Sequence, residues 1–378
     1  MKEKEARRLF LFEGKIDKPF FLMTMTLLIF GLIMLFSASY ANAYYYEDDS
    51  YFYIKKQLIF AVIGVIAMII ASHFNYKIFK FLAAPIWILS LALLFLTYFM
   101  PDIKGARRWI FIGPINFQPS EIAKFALIIL FAKYISQNGD TIKSFKKGTM
   151  PLLLIMGSVA VLTLFQPHMS GTILIGMICL TIMFVGGANI KHLVAMAVSA
   201  ASLLVAAVLV KPDIFNHVIN RIRFFINPWL DPQNKGYQII QSLLAIGSGG
   251  LMGVGFGESV QKYAYLPEVQ NDFIFPIIAE ELGFVGASLV IVLFALLIWR
   301  GFYIAMRTKD KFGSLVCVGI TTQIGIQAFL NIAVVTKTVP NTGISLPFFS
   351  YGGTSLVIML AQVGVLLAIS RKSEYTKE

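Results

Sequence analysis

Charge is scarce in this chain of 378 residues, and cysteine and histidine are scarcer still. Only 14% of the residues are Asp, Glu, Lys or Arg, against 57% hydrophobic, and mean hydropathy is +0.75. Soluble domains carry about 25% charged residues, so the composition excludes a water-soluble globular class and indicates an integral membrane protein. The two cysteines, Cys179 and Cys317, lie far apart in apolar runs, which argues against a disulfide framework or a metal knuckle. The four histidines, His73, His168, His192 and His217, lack the HxxH type of spacing that a histidine metal motif needs. Acidic residues are also few, 20 against 32 Lys and Arg, for a net charge of +12. With no soluble basic domain to hold nucleic acid, that excess bears on orientation in a membrane and not on a nucleic-acid partner. No internal repeat relates the two halves, which counts against an inverted-repeat transporter.

What the chain has instead is apolar length. Windows able to cross about 30 Å of hydrocarbon fall at 19–39, 57–73, 79–100, 118–135, 150–166, 171–188, 192–210, 273–299, 313–335 and 353–370. They predict a single all-α polytopic membrane domain of about ten transmembrane helices. The basic start, the apolar core from Pro19 to Phe36 and Ala41-Asn42-Ala43 imitate a signal peptide, read here as an uncleaved first helix. An even number of spans puts both termini on one side. Most Lys and Arg lie in the two tails (1–18 and 371–378) and in the loops sharing their side, so the positive-inside rule makes that side cytoplasmic. A large loop, 211–272, between the seventh and eighth spans is then extracellular. So are the Tyr-rich YYYEDDSYFY, residues 101–117, the turn QPHMSG and the segment KTVPNTGISLPFFSYGG.

The outer half holds the residues that lipid should exclude. Arg107 and Arg108 in KGARRWIFIGP, and Arg221 and Arg223 in NRIRFFINPW, sit beside aromatics on the side where positive charge is disfavoured. They read either as snorkelling interface anchors or as an anion site, since guanidinium forks match phosphate oxygens. A phosphate at that interface belongs to a lipid headgroup or a lipid-linked substrate. Glu121 and Lys124 in FQPSEIAKF are spaced i, i+3 on one helix face, as a structural ion pair or a site. Ser120 is placed there as an N-cap.

Asp272, in YLPEVQNDFIFPIIAEELG, ends the outer segment at the mouth of an apolar run, where an N-cap role competes with proton exchange at a solvated substrate. Glu280 and Glu281 lie roughly 12–13 Å deeper by helical rise. They are expected to brace the site, with Lys124 as a candidate partner, or to be held neutral. The run GSGGLMGVGFG imitates a phosphate loop but follows no strand, so it reads as a flexible surface or re-entrant segment. SLPFFSYGGTS, with Ser350, Tyr351, Gly352 and Gly353, reads as a broken segment lining a cavity.

Taken in order, FGLIMLFSAS, ARRWIFIGPINFQPSEIAKF, NPWLDPQNKGYQIIQS, YLPEVQNDFIFPIIAEELG and ISLPFFSYGGTS make the chain resemble the SEDS family (shape, elongation, division and sporulation) over nearly its whole length. NPWLDP, FGESVQKYAYLPE and VPNTGISLPFFSYGG look more like its FtsW and SpoVE branch than its RodA branch. His168 departs from the acid that many members carry in that turn. The resemblance implies a peptidoglycan glycosyltransferase of the bacterial cytoplasmic membrane, polymerising lipid II at the outer face. It implies a class B penicillin-binding protein and other divisome proteins as partners, and it maps the family's essential aspartate onto Asp272. Asp272 would then be the general base of an inverting displacement, with Arg107, Arg108, Lys124, Arg221 and Arg223 neutralising the leaving undecaprenyl diphosphate. A divalent cation such as Mg or Mn stays open as a cofactor. The alternatives are a lipid II flippase, an elongation-type polymerase and a noncatalytic scaffold.

Overall fold

Asp17 fastens one end of the helix bundle. Its carboxylate accepts the Phe20 N–H at 2.9 Å and so caps the first helix, while Arg300 holds the same carboxylate through Nε (3.1 Å) and Nη2 (2.8 Å). The Asp17 N–H donates to Ser370 Oγ at 3.0 Å, which brings three distant parts of the chain together. The computed structural model describes residues 14–102, 106–113, 115–166, 168–210, 216–263 and 265–371. Both extreme tails and the first residues of the large loop, 211–215, lie outside the described residues.

The elements run α1 (Lys18–Glu47), α2 (Phe52–His73), α3 (Ile78–Leu96), β1 (Ile110–Ile112), β2 (Ile115–Phe117), α4 (Pro119–Asn138), α5 (Met150–Phe165), α6 (Met169–Val185) and α7 (Ile190–Val210). They continue with α8 (Asn216–Ile226), α9 (Tyr237–Ser248), α10 (Ile274–Arg307), α11 (Lys311–Val335) and α12 (Gly353–Ser370). A helix stands at every predicted window. Among the described residues, seven helical stretches, covering α1, α2, α3, α5, α10, α11 and α12, are long and apolar enough to cross a membrane by length and composition. Helix α11 is buried along nearly its whole length, whereas α2 and α3 turn large apolar side chains such as Ile59, Val62 and Phe81 outward. That inversion is what lipid as solvent requires. Small residues let α2 and α12 approach closely: a Cβ on Gly364 would stand 2.3 Å from the Met68 carbonyl oxygen.

Two features were not predicted. Residues 110–117 form an antiparallel hairpin, with Ile110 opposite Phe117 and Phe111 opposite Asn116, around Gly113 at φ +60°. The large loop also contains α8 and α9, amphipathic segments too short and polar to register as spans.

The glycine-rich run is a docked element, not a flexible one. Helix α10 breaks at Gly283 (φ +67°), and the run satisfies the backbone groups exposed there. Val254 and Gly255 N–H donate to the Glu280 and Glu281 carbonyls at 2.9 and 3.1 Å, while Phe284 and Val285 N–H donate to Gly250 and Leu251 at 2.9 and 3.2 Å. Only glycine fits the contact, since a Cβ on Gly253 would lie 2.1 Å from the Glu281 carbonyl oxygen.

This docking corrects the partner expected for the two glutamates. The fold-back carries Lys262 to Glu281, where Nζ sits 2.9 Å from Oε1, and Ser37 Oγ donates to the same carboxylate at 2.7 Å. Glu280 accepts from Ser259 Oγ at 2.5 Å and from the Val260 N–H at 3.0 Å. Lys124 is engaged elsewhere, by Glu121 at 2.8 Å. Glu280 and Glu281 therefore rivet the outer segment onto α10 and α1.

Candidate active site

The segment riveted by the two glutamates ends in a turn that presents Asp272. Asn271 and Phe273 N–H both donate to the Glu268 carbonyl, at 3.0 and 3.3 Å, and Asn271 Nδ2 donates to the Glu268 carboxylate at 2.6 Å. Helix α10 then begins with Phe273 at the N-cap and no side-chain cap, so Asp272 is not spent on capping. From α11, Asn331 Nδ2 donates to the Asp272 carbonyl at 2.7 Å and to the Ile344 carbonyl at 2.8 Å. That one amide fixes the aspartate's backbone to the segment before α12. Gly343 (φ +64°) passes close beside it, where a Cβ would lie 3.4 Å from Asp272 Oδ2.

Positioning of this kind is worth about 10²-fold per ångström of misplacement. Asn331→Leu is accordingly expected to lower turnover by roughly tenfold or more while the protein still elutes as a folded species. Rate and size-exclusion profile on one preparation check this.

Asp272 opens into a cavity of about 620 Å³ that it shares with Arg108, Lys124, Glu121, His168 and Tyr351. Glu121 and Lys124 form the expected i, i+3 pair, both buried, on the first turns of α4. The N-cap of α4 is Gln118, with Pro119 next, so Ser120 lies inside the helix and does not cap it. Pro119 fits there because the first helical N–H has no partner in any case.

The cavity carries both signs of charge: Arg108 and Lys124 face it, and so do Asp272, Glu268 and Glu121. The Arg108 guanidinium is held below its ordinary range by burial and by the positive charge of Arg221. Arg221 is lowered by desolvation, and the Asp272 carboxylate partly offsets this, so the two charges are within electrostatic reach. Arginine stays protonated regardless, so Arg108 brings a partly desolvated cation to the cavity wall. His168, at the turn between α5 and α6, is pushed down to about 3 by burial and then by Arg108, Lys124 and Arg221. It is neutral throughout the physiological range.

The sign of the resulting pH dependence follows. Between about 6.5 and about 3 the unfolded chain binds a proton at His168 that the folded site refuses, so stability falls as pH falls through that window. Thermal unfolding in detergent should show the midpoint dropping faster below pH 6.5 in the wild type than in His168→Asn, with parallel curves above it. Parallel curves throughout would contradict the placement of His168.

Not every predicted residue reaches the cavity. Arg107 donates to the Tyr98 carbonyl at 2.8 Å and faces away, as an anchor would. Arg223 lies two residues from Arg221 on α8, on the opposite side of that helix, and Arg221 itself lines a smaller neighbouring cavity. Tyr351, Gly352 and Gly353 line the main cavity. Ser350 does not: its Oγ accepts the Leu346 N–H at 2.8 Å and holds the turn.

Uncharged residues that sequence reading passed over do much of the placing. Gln57 on α2 donates to the Ser350 carbonyl at 3.2 Å and accepts the Gly352 N–H at 3.3 Å. Gln270 accepts the Tyr351 N–H on its carbonyl at 2.7 Å and the Asn42 amide on its side chain at 3.1 Å. Among the described residues no three His, Cys, Asp or Glu side chains converge on a metal site. The Mg mode of one or two carboxylates plus substrate phosphate has only Asp272, Glu268 and the lysine-paired Glu121 to draw on in this cavity.

A bundle of apolar helices thus holds a cavity in which the half-buried Asp272 meets Arg108 and the Glu121–Lys124 pair. The chain belongs to the FtsW, RodA and SpoVE family, whose profile, described as cell cycle protein, matches residues 18–375. Stage V sporulation protein E of Bacillus subtilis strain 168 is 45% identical over 359 residues, covering 94% of this chain and 96% of that protein. A probable peptidoglycan glycosyltransferase FtsW of Geobacter sp. strain M18 is 39% identical, covering 94% and 97%. Among solved structures, a chain from a peptidoglycan synthase complex coordinating polymerization and crosslinking superposes with TM-score 0.76 at 27% identity, covering 94% of this chain and 98% of its own. The rod shape determining protein RodA of Thermus thermophilus superposes with TM-score 0.70 at 26% identity, covering 95% and 98%.

Proposed function

We propose that the chain is a peptidoglycan glycosyltransferase of division or sporulation that polymerises lipid II in the cavity around Asp272. The observation that carries this reading is the shared cavity: Asp272, at the mouth of α10, faces the same space as Arg108 and Lys124, with the charge of Arg221 felt from beside it. The names of the relatives support the same reaction class. The ten helices span the cytoplasmic membrane with both termini inside, and the cavity opens outward, where the hairpin and the large loop cover it.

Asp272 takes the proton from the acceptor sugar hydroxyl as that oxygen attacks the anomeric carbon of the donor. The bond from that carbon to the diphosphate oxygen breaks, and its electron pair leaves with undecaprenyl diphosphate. Arg108 and Lys124, which line the cavity, stabilise the charge that develops there, and Glu121 holds Lys124 in place without consuming its remaining donors. An α-linked donor giving a β-1,4 glycan is inverted in one displacement, with no covalent enzyme intermediate. A class B penicillin-binding protein crosslinks the product, a reading supported by the assembly in which the structural neighbour was solved.

The test is chemical. Purified protein with its transpeptidase partner, given lipid II in detergent, should yield glycan chains that a muramidase degrades. A transporter moves lipid II and forms no new glycosidic bond, so absence of polymer from folded, partnered protein would overturn the reading.

A further inference from the structure

Polymerisation joins two lipid-linked sugars at once, and each carries a diphosphate. One diphosphate leaves; the other stays on its sugar, one disaccharide away from the attacking hydroxyl. Two diphosphates held in one cluster would repel each other, so the chemistry favours a second anion site on the flank of Asp272.

Beside the main cavity lies a smaller one of about 400 Å³ between α8 and α9, lined by Arg221, Lys235, Phe224, Asn220, Gln238 and Asn341. Gln238 lines both cavities and forms their common wall, fixed by accepting from Asn341 Nδ2 at 3.0 Å. The Lys235 ammonium lies 5.7 Å from the centre of the Phe224 ring and is exposed. Asp231, the carboxylate on that turn, is taken up by Asn234 Nδ2 at 3.1 Å and the Lys235 N–H at 3.4 Å. Two cations and three amides make a set that suits a sugar diphosphate: guanidinium and ammonium for the phosphates, amides for the sugar, with the buried Phe224 ring backing the ammonium. Arg221 lies within electrostatic reach of both Asp272 and Arg108, so the smaller cavity flanks the main one directly.

We propose that the Arg221–Lys235 cavity is a second substrate site, binding the diphosphate of the lipid-linked sugar that supplies the attacking hydroxyl. This rests on the polymerase reading, and its test separates the two. Lys235→Met should raise the lipid II concentration for half-maximal rate about tenfold, with the saturated rate far less affected, and Lys235→Arg should restore most of the loss. In the non-reacting Asp272→Asn background, lipid II should bind at two equivalents per protein, and adding Lys235→Met should reduce this to one. Polymerisation by the wild type with unchanged concentration dependence in Lys235→Met would overturn this proposal alone. So would loss of transpeptidase co-purification as the only defect, which would make the cavity a partner contact.

Discussion

Glu281→Ala is expected to be the most destabilising single substitution in the outer half of the protein. It leaves the Lys262 ammonium buried, with the Gly257 carbonyl at 2.5 Å and Ser37 Oγ at 3.4 Å as its remaining partners. Breaking a buried pair from one side costs roughly 3–5 kcal/mol, because the surviving charge stays desolvated and uncompensated. The loss falls on the docking of the glycine-rich run to the break in α10, and through it on the segment that ends in Asp272. A large fall in thermal unfolding midpoint, with little folded material recovered from detergent, is the expected reading. Lys262→Met combined with Glu281→Met should regain most of it, since apolar replacement of both partners is often neutral. A double variant no better than the single one would show that the pair is not what holds the segment.

Asp272→Asn is expected to reduce the initial rate of glycan formation by about 10² to 10⁴-fold, the range assigned to a positioned general base. The amide keeps the shape of the side chain and gives up the ability to take the proton. Nothing in the local fold depends on the carboxylate as a cap, since α10 begins at Phe273 without one, and the grip of Asn331 is on the Asp272 backbone. The variant should therefore fold, associate with its partner and bind lipid II like the wild type. An equal loss of rate and of folded protein would move Asp272 from chemistry to architecture.

How far the sequence foretold this arrangement depends on which signal each residue emits. The ten apolar windows are written in composition, and a helix stands at each. Asp272 was legible because a carboxylate at the edge of an apolar run is anomalous whatever surrounds it. Glu280 and Glu281 were legible as anomalies too, but not their partners. Lys262 lies 19 residues before Glu281, and nothing in the spacing says that the chain folds back at the Gly283 break to bring them together. Arg107 and Arg108 are adjacent in sequence and look equivalent, yet only Arg108 faces the cavity. The 110–117 hairpin and helices α8 and α9 went unseen because short amphipathic elements emit no signal comparable to a span. Asn331 was overlooked for a different reason: Gln323, Gln327 and Asn331 repeat every four residues along α11, a polar stripe on an apolar helix that charge-based reading does not register.

The claim that Asp272 acts as a base within the cavity it shares with Arg108 and Lys124 is tested most directly by measuring binding and turnover of lipid II on the same preparation of Asp272→Asn. The account predicts affinity within about twofold of wild type and glycan formation lower by at least about 10²-fold. Wild-type polymer lengths and rates from the variant, or affinity lost in step with turnover, would contradict it.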